Sequence, residues 1–201
     1  MQPADDGGAL SLPFFAALAL LDSILLIGLI ILFLLGRRES PREIFLGPRD
    51  PAREAVLGTM LVPIVFVFVA LVVGGLRLIA PWLQTVPQNP LGALLDTPAE
   101  AAVFAVIVVI AGGLREEVQR AFILHRFEQS LGGARLGLVL FSLMFGLGHI
   151  EQGADVAIAT SALGLFWGIL YLARRSIVAP AFSHAGFNLA QVVVQAALRR
   201  I

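Results

Sequence analysis

Glu116 and Glu117 stand side by side in the stretch LREEVQRAFILHRF, directly behind an almost unbroken apolar run. A carboxylate in hydrocarbon costs at least ~2.5 kcal/mol even on lenient insertion scales, so such residues are rare and face a protein interior or a wet cavity. Glu116 and Arg120 are four residues apart, in the orientation that favours an ion pair, whereas Glu117 points about 100° away around the helix axis. One glutamate could then be neutralised by arginine, leaving the other as a general base toward water. Two further helices carry His149 and His184, the latter four residues before Asn188. Their imidazole and carboxamide groups could donate hydrogen bonds to the oxyanion of an attacked peptide carbonyl. This is the chemistry of a hydrolase without a serine or cysteine nucleophile. The same set, Glu116, His149 and His184, could instead ligate a divalent metal such as zinc, two histidines plus a carboxylate being a known hydrolytic arrangement.

Spacing within the helices adds detail. His184, Asn188, Gln191 and Gln195 recur at helical spacing and form a polar stripe on an otherwise apolar helix, which must look into the bundle or a cavity. Phe145 and His149, also four apart, place a ring beside an imidazole. Each position has a plainer reading. The glutamates could simply pair with Arg115 and Arg120 at a helix end, and an intramembrane histidine or amide could be an interhelical hydrogen-bonding group. His125, beside Arg126, reads as a solvated end residue, and Asp22 as a helix-packing or unpaired polar group.

The elements that must position these groups are membrane helices. Of 201 residues, 58% are hydrophobic and 14% charged, with mean hydropathy +0.90, whereas charged residues make up about a quarter of a soluble chain. Cysteine is absent, which excludes disulfides, thiolate nucleophiles and cysteine-ligated zinc. Apolar runs cover about Leu10 to Leu35, Ala55 to Leu83, Ala101 to Phe127, Leu136 to Ile150, Val156 to Leu172 and Ile177 to Leu198. An all-α polytopic bundle of about six transmembrane spans is expected, because helices satisfy their own backbone groups in lipid. The acidic start MQPADDGGALSL is unlike a secretory signal, so the first run is expected to be a retained span. Residues 1–96 supply two spans and linkers, and residues 97–201 the core helices with the polar groups. Thr97, Pro98 and Glu100 have the order of a helix start with a capping box.

All fourteen basic residues are arginine. Arg37, Arg38, Arg42, Arg49 and Arg53, then Arg126 and Arg135, then Arg174 and Arg175 place three connections in the cytoplasm, with the N-terminus and the loop from Gln84 to Glu100 outside. Arg199 and Arg200 depart from that pattern. Counted from the cytoplasmic edge at ~1.5 Å per residue, Glu116 lies roughly 15 Å deep, His149 roughly 21 Å and His184 roughly 13 Å, one shared band of depth.

The order EE…R, FxxxH, HxxxN resembles the CPBP family of intramembrane proteases, also called the Abi or type II CAAX prenyl endopeptidase family. It reads Glu116-Glu117-Val118-Gln119-Arg120, Phe145 to His149, and His184 to Asn188, within about Ala101 to Ala196. The resemblance implies a membrane peptidase with a site recessed in the bilayer, acting on a prenylated protein or a bacteriocin-like precursor in contact with lipid, and not on nucleic acid. A bacterial inner membrane is the expected setting. Carried over, Glu116 is the water-activating base, Glu117 its partner, and His149 positions water. His184 and Asn188 line the oxyanion site, with Arg120 and Phe145 in support. The family pattern has three residues between the glutamate pair and the arginine, and here there are two. Members are described both as metalloproteases and as metal-free glutamate enzymes. Two competing readings are a non-catalytic peptide-binding or immunity protein, and a proton-coupled transporter, against which the lack of an internal repeat counts.

Overall fold

In the computed structural model, residues 11–87 and 97–198 are described. The acidic start, residues 88–96, and Arg199 and Arg200 lie outside them. All six apolar runs fold as helices, and there is no strand among the described residues. The elements are α1 (Leu12–Gly36), the short α2 (Pro41–Phe45), α3 (Pro51–Ile79), α4 (Pro98–Ile107), a π-helical segment (Val108–Arg115), α5 (Glu116–Ser130), α6 (Ala134–Leu147), α7 (Ala154–Arg174) and α8 (Val178–Leu198). Helices α1, α3 and α7 are each long and apolar enough to cross a membrane, and α6 is apolar but shorter.

The third helix begins where its capping signal puts it. Thr97 Oγ1 accepts from Glu100 N–H at 3.2 Å, and Glu100 Oε2 accepts from Thr97 N–H at 2.8 Å. It does not run on as a single α-helix, however. The eight residues 108–115 are π-helical, and regular α-helix resumes at Glu116 itself. Such i→i+5 turns are rare, and they gather at functional sites because they re-aim the residues that follow.

Burial separates lipid-facing from core-facing surface. Only 17% of the apolar window of α1 and 11% of that of α3 is buried, with side chains such as Ile24, Leu29 and Leu71 open to the surroundings. A surface this apolar suits hydrocarbon rather than water. Helix α7 lies inside, burying Leu163, Gly164, Trp167, Gly168 and Tyr171. Small residues bring the helices close, as expected where packing and not water exclusion drives association. Gly164 meets the Ser142 backbone, and a side chain on Gly113 would reach the Ala185 Cβ at 2.5 Å, so the π segment lies directly on α8.

The connections read as sharing one side do close onto one end of the bundle. Arg126 forks onto Glu39, Arg175 pairs with Glu128 at 2.5 and 2.6 Å, and Arg174 pairs with Glu54. Tyr171 Oη donates to Ile44 O at 3.1 Å and ties α2 to the same end. Above all the Arg126 guanidinium holds the Glu39 carboxyl down, from 4.5 to about 2, with Arg37 and His125 adding to it against burial. His125 is therefore not the solvated end residue expected: its Nε2 lies 3.1 Å from Glu39 Oε2, at 20% side-chain exposure. Asp22 is not unpaired either, because Arg115 reaches it at 2.8 Å and ties α1 to the end of the π segment.

Candidate active site

The three motif helices converge on one cavity of about 410 Å³. Glu116, His149, His184, Asn188, Gln191 and Gln195 all border it, so the polar stripe of α8 faces the carboxylate and the second imidazole. Phe15, Phe104 and Val69 are among the residues that give the opposite walls their apolar character. Glu116 and His149 lie on the parts of their segments remote from the arginine-rich end, whereas His184 is seven residues into α8 from that end and Asn188 is at its mid-length. The cavity therefore runs from the middle of the bundle toward the end opposite the arginines, along Gln191 and Gln195.

The two glutamates have separate environments. Glu117, 1% exposed, does not border the cavity. Its Oε1 accepts from Arg120 Nη1 and from His184 Nδ1, the latter at 2.9 Å. This corrects the expectation that Arg120 pairs with Glu116: the i,i+3 partner takes it instead. Arg120 is fully buried, with its guanidinium 4.8 Å from the Phe145 ring centre, 5.4 Å from Phe141 and 5.6 Å from Trp167. Aromatic faces attract a cation there, and the position beneath them leaves Glu117 as its carboxylate. Glu116, freed of that bond, places Oε2 3.7 Å from His184 Nε2 on the cavity wall.

Proton positions on the rings follow from their partners. A carboxylate and a backbone carbonyl can only accept, so His184 carries a proton on Nδ1 toward Glu117, and His149 carries one on Nδ1 toward Phe145 O at 2.8 Å. Both Nε2 edges are left for other partners. Trp167 stacks on His184 with ring centres 3.7 Å apart and planes 18° from parallel, and Trp167 Nε1 donates to Ser183 Oγ at 3.2 Å. Phe145 sets its edge against both imidazoles, at 5.0 and 6.0 Å. The expected Phe145 and His149 pairing is present, and Phe145 does more than expected.

Sequence reasoning missed Trp167, Ser183 and the π segment. Trp167 had no local signal, since its spacing on α7 is that of any core residue. The Gly112-Gly113 pair inside an apolar run was the visible trace of the close approach to α8. Among the described residues no three His, Asp or Glu side chains are grouped to hold a metal ion.

Residues 98–190 match the type II CAAX prenyl endopeptidase Rce1-like family. The matched stretch begins at the first residue of α4, includes every residue of the three motifs, and is a little under half of the 201-residue chain. The match falls on the same residues that carry the resemblance seen in the motifs, and the family it names is one of membrane-embedded peptidases. No curated protein and no solved structure matches the chain. Within the Rce1-like segment lie the π segment, Arg120 and Trp167 as well. The residues that re-aim and pack the site are thus part of the same unit as the motifs.

Proposed function

We propose that the protein is an intramembrane endopeptidase in which Glu116 acts as general base on a water in the cavity. One observation supports this choice above all: Glu117 is locked between Arg120 and His184, whereas Glu116 borders the cavity beside the free edge of His184. A water between Glu116 and the Nε2 edges of His184 and His149 gives a proton to Glu116 while its oxygen adds to the peptide carbonyl carbon. The oxyanion so formed is met by the Asn188 amide. His184, held at Nδ1 by Glu117, presents its unprotonated Nε2 to the second hydrogen of that water and so orients it beside the Asn188 amide. Collapse breaks the C–N bond, and Glu116 returns its proton to the leaving amine nitrogen. Glu117, Arg120, Phe145 and Trp167 are positioning residues in this scheme.

The substrate is a peptide or protein segment reached within the membrane. With the arginine-rich end in the cytoplasm, Glu116 and His184 lie near mid-bilayer and the cavity continues along Gln191 and Gln195 toward the outer face, which favours a precursor exposed outside over a cytoplasmic prenylated chain. A bacterial cell membrane is the proposed setting. In proteoliposomes with a quenched fluorescent peptide substrate, Glu116→Gln and His184→Ala are each expected to lower kcat by at least ~10²-fold, the usual contribution of a general base, without loss from the membrane. Cleavage by both variants at the wild-type rate refutes the assignment. A chelator separates the metal alternative: activity that survives EDTA supports the carboxylate mechanism, and loss restored by zinc supports Glu116, His149 and His184 as ligands.

A further inference from the structure

The mechanism uses Asn188 but leaves Gln191 and Gln195 without a task. Both continue its face of α8 along the cavity, and none of the three side-chain amides has a hydrogen-bond partner among the described residues. A carboxamide in a lipid-embedded helix is costly to leave unpaired. Three at successive turns on one wall, facing an apolar wall, therefore point to a ligand that is polar along one edge and apolar along the other. An extended peptide has that character. From Asn188 to Gln195 the helix rises ~10.5 Å, the length of about three residues of extended chain at ~3.3 Å each.

Charge narrows the class further. Among the described residues no arginine borders the cavity, and its one carboxylate is Glu116. Arg77 lines a side groove that shares Gln191 with the cavity, and there it is held by Asp155 at 2.8 Å. No arginine among the described residues lines the cavity to pair with a free C-terminal carboxylate.

Resting on the peptidase reading, we infer that Gln191 and Gln195 form a backbone-reading subsite for an uncharged, extended segment of about three residues flanking the scissile bond. The enzyme thus cleaves within a neutral stretch and does not trim a chain by its charged end. Each carboxamide offers a donor and an acceptor to the substrate's main chain while leaving its side chains against the apolar wall.

The test measures binding without turnover, using the Glu116→Gln protein in nanodiscs and a fluorescent hexapeptide of Ala, Val and Leu, acetylated and amidated at its ends. Gln191→Leu and Gln195→Leu should each weaken binding about tenfold, as expected when a peptide group loses its buried partner. Val193→Leu, on the lipid face of the same helix, should leave it unchanged. Methylating the peptide's backbone nitrogens should weaken binding to the unaltered parent by a similar factor, a result independent of how any variant folds. The same peptide with a free C-terminal carboxylate should bind no more tightly than the capped one. Tighter binding of the free acid, parent-like affinity in both leucine variants, or no binding of the capped peptide overturns the inference. The peptidase reading fails separately, if the capped peptide binds and wild-type protein leaves it intact.

Discussion

Replacing each glutamate in turn separates a base from a brace. Glu117 and Arg120 are 1% and 0% exposed, and Glu117 also holds His184. Removing one partner of a buried ion pair costs ~3–5 kcal/mol, because the other charge stays buried and uncompensated. Glu117→Gln keeps the volume and one acceptor oxygen, so the lower end, about 3 kcal/mol, is expected. For a chain of about this length each kcal/mol moves Tm by ~2–4 °C, so the variant should melt ~6–12 °C below wild type. Glu116→Gln, whose carboxylate has no such bond and borders the cavity, should melt within ~2 °C of it. Glu117→Gln combined with Arg120→Met should recover most of the loss, since a well-packed apolar side chain often replaces a buried ion at little cost. The assay is thermal unfolding in one detergent at one scan rate. Equal destabilisation by the two single variants, or no recovery in the double variant, would show that the two carboxylates do not differ as described.

Three further expectations concern the frame around the site. The chain has no cysteine, so single cysteines report topology cleanly: an impermeant maleimide should label Gln84→Cys in intact cells and Arg42→Cys only after permeabilisation, and the reverse would place the cavity on the cytoplasmic side. Glu39 has a lower pKa in the folded than in the unfolded chain, so its contact with Arg126 stabilises the fold above about 4.5 and stops doing so as pH falls through about 2. Melting temperatures taken across that window should fall more steeply in wild type than in Glu39→Gln; parallel curves would mean that the pair carries no linked protonation. Gly113→Val drives a side chain into Ala185, whereas Gly74 has open space around it. Overpacking should cost Gly113→Val about 1–3 kcal/mol and much of its activity by pushing His184 from Glu116, while Gly74→Ala retains wild-type cleavage; full activity in Gly113→Val refutes the close-approach argument.

Much of this protein was legible in its residues alone. Six apolar runs had to become helices, since no other structure hides its own amides in lipid, and Thr97 with Glu100 marked where the third begins. Polar groups at 116, 149, 184 and 188 had to face inward, because hydrocarbon does not tolerate them, and helical periodicity put Gln191 and Gln195 on the same wall. Which partner each group takes was another matter. Arg120 is within reach of Glu116 at four residues and Glu117 at three, and spacing permits both. The choice was made by Trp167, Phe141 and Phe145, which come from distant segments and bury the guanidinium on the Glu117 side. Asp22 and His125 likewise found partners far along the chain, Arg115 and Glu39. The π turns that set the register before Glu116 carry no periodicity signal, because they depend on how closely Gly112 and Gly113 let α8 approach. Local sequence determines what must be buried; only packing between helices decides against what.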